Sequence, residues 1–182
     1  MNERSTEFPV SGLIRAIRSQ YQLPWHGLHG VSHWARVYEN SLRLAEHTRA
    51  DRLVLLLFAL FHDARRANEG WDEGHGRRGA DLAANLRGRL FALDGARFEM
   101  LHYACAMHTE RLTDGDATVQ TCWDADRLDL PRAGIFPEPA RLCTPAAQLP
   151  ETIAWATERS LRRVVPDLVR GPWGLADLGP SA

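Results

Sequence analysis

The sequence predicts an all-α fold: a single-domain helical bundle of about six to eight helices with an irregular, proline-rich C-terminal segment. Three observations predict it. An unbroken apolar run from Leu53 to Phe61 follows Asp51 and stops at His62-Asp63. Segments with apolar residues at helical spacing recur along the chain, several of them behind a Ser or Asp suited to an N-cap. No stretch of useful length alternates apolar and polar residues as a half-buried strand does. A length of 182 residues, 45% hydrophobic and 25% charged, fits one globular domain with a substantial core.

Residues 1–9 are polar and expected to be loose. The first helix covers about Ser11 to Gln20, with Leu13, Ile14 and Ile17 on one face. Leu23 to Gly30 is a loop punctuated by Pro24, Gly27 and Gly30. Ser32 is the expected cap of a helix running to about Thr48, and His33, four residues before Val37, falls on its core-facing side. The central helix, about Asp51 to Ala64, is apolar all round and so must be buried all round. It falls well short of the roughly 20 apolar residues that span a membrane. A glycine-punctuated loop, Asn68 to Gly76, leads into a fourth helix from near His75 to near Leu93, whose inner face reads His75, Gly79, Leu82, Ala83, Leu86, Leu90. Asp94 caps a fifth helix, to about Thr109; His108 ends its apolar stripe, and His102 lies off it. Asp116 caps a sixth, about Ala117 to Leu130, with Val119, Cys122, Trp123, Asp126 and Leu130 facing inward. Pro131, Pro137, Pro139, Pro145 and Pro150 then mark an irregular connection expected to wrap the helices, before a last helix at about Glu151 to Val164. Residues 171–182 are weakly specified. The organisation read from this is a lead-in over residues 1–23, a core over 24–130, and a C-terminal segment, 131–182, packed on that core.

Composition narrows the function classes. A net charge of -1 gives no overall field favouring nucleic acid or an anionic membrane. All 22 basic residues are Arg, which excludes lysine bases and Schiff-base chemistry and leaves the guanidinium as the fixed cation for gripping phosphate. Cys105, Cys122 and Cys143 are odd in number, far apart and never in a C-x-x-C pair, so neither a thiolate zinc site nor a disulfide framework is indicated. Residues 1–20 lack the apolar core of a signal peptide, so a cytoplasmic setting is expected.

His33, His62, Asp63, His75, His108 and Asp126 each fall at the end, or on the buried face, of a different helix or adjoining turn. An unpaired carboxylate on a core face is costly, so Asp126 asks for a partner. Asp124 points about 160° away from it around the helix and reads as an outer or surface acid, so Asp126 is preferred. Imidazole with carboxylate is the mixed environment that suits Mn, Fe, Co, Ni or Zn. Asp63 could offer one oxygen to each of two ions.

These residues resemble the HD superfamily of metal-dependent phosphohydrolases, which are all-helical, over about residues 24 to 130. The resemblance is carried by His33 in the run from His26 to Val37, by His62-Asp63 after its apolar helix, and by Asp126 in Asp124-Ala125-Asp126-Arg127-Leu128-Asp129. It implies that His33, His62, Asp63 and Asp126 hold one ion. In members with two ions, two further histidines lie between the pair and the last Asp, and His75 and His108 stand at compatible positions. The implied activity is hydrolysis of a phosphomonoester, nucleotide or phosphodiester by water activated on one or two ions. The substrate would then be a small phosphorylated metabolite or nucleotide.

The catalytic residues expected are Asp63, His29 and Arg127. Arg127, Arg77 or Arg78 would hold the non-reacting phosphate oxygens, and His29 or His26 would protonate the leaving oxygen. Arg77 and Arg78 stand in the first turn of their helix, against the dipole preference, which suggests an anion nearby. Two other readings use the same residues: a di-iron oxygenase on a similar six-ligand scaffold, and a module whose metal site senses a nucleotide without turnover. No residue reads a base, a sugar or a lipid. The proline-rich C-terminal third could contribute a homo-oligomer interface.

Overall fold

The computed structural model describes residues 9–173. The expectations for residues 1–9 and 171–182 therefore lie almost wholly outside the described residues. Within them the fold is all-α. The helices are α1 (Val10–Arg18), α2 (Val31–Thr48), α3 (Arg52–Phe61), α4 (His75–Leu86), α5 (Gly95–Met107), α6 (Ala117–Arg127), α7 (Pro145–Gln148), α8 (Pro150–Leu161) and α9 (Asp167–Arg170), with short 3-10 turns at Leu130–Ala133 and Pro139–Arg141. The only pairing of extended backbone among the described residues is one isolated bridge between Arg87 and Phe91. No described helix is long and apolar enough to cross a membrane.

α3 is the centre. Asp51 starts it by accepting from the backbone N–H groups of Leu53 and Val54 at 3.0 and 3.1 Å. From Val54 to Phe61 every side chain is buried, because α2, α4, α5 and α6 all pack around it. Asp94 and Asp116 cap α5 and α6 in the same way. These caps are local: one side-chain oxygen satisfies amides that no helical carbonyl can reach.

Four expectations are corrected. α2 starts at Val31 on Gly30, with no side-chain cap, so Ser32 is already inside the helix. α4 stops at Leu86 rather than near Leu93: Gly88 adopts φ 75°, and the turned chain buries Phe91 and leaves Leu90 exposed. α8 stops at Leu161. Asp124 is fully buried, not on the surface, because the segment after α6 folds back over it. Its carboxylate accepts from the amides of Cys143 and Thr144 at 2.7 and 2.8 Å and from the Thr144 hydroxyl at 2.8 Å. Burial raises the Asp124 carboxyl above its usual range, and these donors offset part of that rise. The returning segment sets α7, α8 and α9 against α2.

Close approach of α4 to its neighbours depends on two glycines. A Cβ at Gly79 would stand 2.2 Å from the Phe61 carbonyl oxygen, and one at Gly76 would stand 2.3 Å from that of Cys105. Without side chains there, the start of α4 sits directly against the C-terminal ends of α3 and α5, and three helix ends meet.

Candidate metal centre

At that meeting point the chain gathers side chains from five helices and the turns that adjoin them. His33 projects from the first turn of α2, His62 is the C-cap of α3 with Asp63 next to it, His75 opens α4, His108 is the C-cap of α5, and Asp126 lies in the last turn of α6. All but Asp126 are buried, and the Asp126 side chain is 14% exposed, which makes it the open edge. The C-terminal ends of α3 and α5 bring partial negative charge to the same place, opposed by the N-terminal ends of α2 and α4, so the helix ends largely balance and the side chains set the local charge.

The histidine ring nitrogens can be assigned from their partners. His62 Nδ1 lies 3.1 and 3.2 Å from the carbonyl oxygens of Phe58 and Ala59. His75 Nδ1 lies 2.6 Å from the Asp72 carbonyl, and His108 Nδ1 lies 2.8 Å from that of Cys105. Carbonyl oxygens only accept, so each Nδ1 carries the proton and each Nε2 is left with a lone pair. His33 Nδ1 donates to Asp129 Oδ2 at 2.7 Å, with the same result.

Those lone pairs face each other. His33 Nε2 and His62 Nε2 are 3.0 Å apart, and so are His75 Nε2 and His108 Nε2. Two lone pairs at that distance repel, and positive charge offsets the repulsion: Arg132 Nη2 and Arg66 Nη1 each reach one ring of a pair, at 3.2 and 3.1 Å, and a cation shared by both rings would offset it further. Burial pushes the His62 imidazole down to about 3, although Asp63 and Asp126 oppose the shift, and burial lowers His108 in the same direction, so neither of these two rings readily takes up a proton. A metal ion fits, because ligands about 2.0–2.2 Å from one ion stand roughly 3.0–3.6 Å from each other.

The carboxylates complete the arrangement. Asp63 Oδ2 lies 3.6 and 3.8 Å from the Nε2 atoms of His33 and His62, and Asp126 Oδ1 lies 3.4 and 3.7 Å from the same two. Asp63 Oδ1 faces the other pair, at 3.2 Å from His75 Nε2 and 3.8 Å from His108 Nε2. Thus one carboxylate stands between two pockets, and two groups, His33–His62–Asp63 and Asp63–His75–His108, have the composition and spacing to hold a metal ion. Burial alone would raise the Asp63 carboxyl; the adjoining His62 and the hydrogen bond from His29 work against it, and the group is held well below the usual carboxylate range.

The remaining predicted residues divide. His29 enters the centre: it is buried, and its Nδ1 lies 2.8 Å from Asp63 Oδ2. His26 is exposed on the turn before α2. Arg127 does not reach the centre, which corrects the expectation that it grips substrate. Its guanidinium donates to the carbonyl oxygens of Leu112, Arg141 and Arg111 at 2.6, 3.1 and 2.7 Å and ties the α5–α6 loop and the C-terminal segment to α6. Arg78 is likewise committed, to both oxygens of Asp72 at 2.6 and 2.7 Å. Arg77 is exposed on α4 and lines a shallow cleft with Phe98, His102 and Tyr103.

Three buried arginines that spacing does not reveal are present instead. Arg36 grips Asp129 through Nε and Nη2 at 2.8 and 3.0 Å, fixing the acid that holds His33. Arg66 Nη1 lies 3.3 Å from Asp63 Oδ1 and 3.1 Å from His75 Nε2. Arg132 Nη2 lies 3.2 Å from His33 Nε2. The one sequence signal was local: Arg66 follows Asp63, and Asp129 follows Asp126, by three residues.

No family model and no curated protein matches the chain. Among solved structures it is similar to a protein described as a predicted HD superfamily hydrolase from an uncultured Thermotogales bacterium, with 25% identity over 93% of this chain and 91% of that one, at a TM-score of 0.61.

Proposed function

We propose that this chain, whose fold is similar to that of a predicted HD superfamily hydrolase, is an HD superfamily metal-dependent phosphohydrolase, cleaving a small phosphomonoester, nucleotide or phosphodiester. The observation that carries the reading is Asp63 set between two pairs of imidazole nitrogens whose lone pairs face each other at 3.0 Å. His33, His62, Asp63 Oδ2 and Asp126 would hold one divalent ion, and Asp63 Oδ1, His75 and His108 a second; Mn, Fe, Co, Ni or Zn suits these donors. Bound ions would supply a hydroxide at neutral pH and positive charge against the phosphoryl oxygens.

The protein's own groups do the rest. Asp129 and the backbone carbonyls fix the imidazole tautomers, so no ring must turn when the centre fills. His29 is the proton donor to the leaving oxygen in this reading. Its Nδ1 is held by Asp63, which leaves Nε2, now 3.3 Å from the Glu69 carbonyl, as the edge that gives and takes a proton. The same six ligands fit the second reading, a di-iron oxygenase, because both need a carboxylate between two imidazole pockets.

Elemental analysis of the purified chain, followed by a phosphorylated-metabolite panel with Mn or Co and an oxygen electrode, separates the two. Phosphate release without oxygen uptake is the expected result. Oxygen uptake by the iron-loaded chain, with no phosphate ester cleaved, would overturn the hydrolase.

A further inference from the structure

Arg132 is a buried cation whose surroundings change if the centre fills. Its side chain is 3% exposed, and most of it is fixed. Nε donates to the Leu28 carbonyl at 2.9 Å and Nη1 to the Asp129 carbonyl at 2.7 Å. Its backbone N–H donates to Ser160 Oγ at 2.8 Å, and that hydroxyl donates to the Asp129 carbonyl at 2.8 Å. The guanidinium is therefore locked from two sides, and Nη2 is the edge left over.

That edge faces two ring nitrogens, His33 Nε2 at 3.2 Å and His29 Nδ1 at 3.4 Å. His29 Nδ1 directs its proton to Asp63 Oδ2 and cannot accept a second one. His33 Nε2 is then the acceptor for Arg132, and it has a single lone pair. The same lone pair is the one a metal ion would take, so Arg132 and the ion compete for it.

Charge leads to the same conclusion. Around the centre Asp63, Asp126 and Asp129 stand against Arg36, Arg66 and Arg132, with Glu69 partly exposed at the His29 side. These three acids and three guanidiniums match one for one before any ion enters. Each divalent ion adds two positive charges and, in the first pocket, removes the acceptor of Nη2. A buried charged donor without an acceptor is costly, and the group that would relieve it is an oxyanion.

We propose that Arg132 is an anion-binding residue of this centre, donating through Nη2 to His33 when the first pocket is empty and to a bound oxyanion when it is filled, so that metal and anion binding reinforce each other. The proposal rests on the metal-site reading above but not on hydrolysis. It extends the recognition site into the 3-10 turn after α6, beyond the ligand set.

Isothermal titration of Mn²⁺ into the metal-free full chain, with and without inorganic phosphate, tests it. Saturating phosphate should tighten Mn²⁺ binding to the wild type by about tenfold or more, and linkage requires Mn²⁺ to tighten phosphate binding by the same factor. In Arg132→Gln, Mn²⁺ alone should bind at least as tightly as in wild type, because the competitor for His33 is gone. The enhancement by phosphate should fall by about fivefold or more. Arg132→Lys cannot keep both carbonyl contacts and still reach the centre, so it should lose the enhancement too; it decides the matter if circular dichroism shows the Gln variant unfolded. Wild-type coupling in either folded variant, or none in the wild type, overturns the proposal. Absence of Mn²⁺ uptake by the wild type overturns the metal-site reading beneath it. Intact Arg132-dependent coupling with no phosphate ester cleaved would instead reject the phosphohydrolase and leave this role standing.

Discussion

The two pockets of the centre share a bridging acid and a facing pair of imidazoles, yet they are backed differently. In the first, His33 leans on a buried carboxylate, Asp129, which Arg36 grips from the other side. In the second, His75 and His108 lean only on the carbonyls of Asp72 and Cys105. The first also has Asp126 as a further donor, and the second has Arg66 turned toward His75. A charged acceptor behind an imidazole makes it a stronger ligand than a neutral carbonyl does. The first pocket should therefore hold its ion more tightly, and the second should be the one that empties during purification.

The largest test of this asymmetry removes what both pockets share. Asp63→Ala should lose metal and activity together; an active, fully metallated variant would refute the assignment. Next, His75→Ala should lower the metal-to-protein ratio by one ion per chain while leaving the helical circular dichroism unchanged. An unaltered ratio would mean that the second pocket never held an ion. A smaller effect is expected at Asp129→Asn, which keeps the shape but weakens the charge behind His33: about 10–100-fold in the affinity of the first pocket, read by calorimetry. If the second pocket suffers equally, the backing argument fails.

The smallest effect is on the pH dependence of the metal-free chain. Burial holds the His62 imidazole near 3 in the folded state, against an ordinary value of 6.5, and lowers His108 as well. Between those limits the unfolded chain binds the proton and the folded chain does not. Stability is thus intact above about pH 6.5 and falls as pH drops toward 3, at up to about 1.4 kcal/mol per unit for each such group. Asp63, Asp126 and Asp129 are held below the usual carboxylate range, so they add their own loss only under about pH 4. Urea titrations in chelator at pH 7 and pH 5 read the imidazoles against an opposing gain from Asp124 and Glu39, whose carboxyls burial raises; a midpoint that fails to fall at pH 5 in an Asp124→Asn, Glu39→Gln background would contradict burial of the rings in the neutral form.

Much of the bundle was legible because its signals are short-range. Asp51, Asp94 and Asp116 cap the helices they precede, and the run from Leu53 to Phe61 is buried along nearly its whole length. Where a single backbone angle mattered, the pattern misled: Leu90 keeps the inward rhythm of α4, but Gly88 has already turned the chain. Asp124 misled for the opposite reason, since what buries it arrives from residues 143 and 144. The centre divides in the same way. His33, His62, His75 and His108 were visible as polar residues on apolar faces, whereas Arg127 and Arg132 could not be ranked from their positions in the sequence.

The sequence by itself determined the main helices, the aspartate caps of α3, α5 and α6 and which imidazoles interrupt apolar faces, because each of these depends on residues within a turn or two. Only the tertiary structure decided that these groups share one space, which nitrogen of each ring is bare, and which guanidinium faces them. Those outcomes depend on partners as far apart as His33 and Asp129, separated by 96 residues, and no local spacing encodes where they meet.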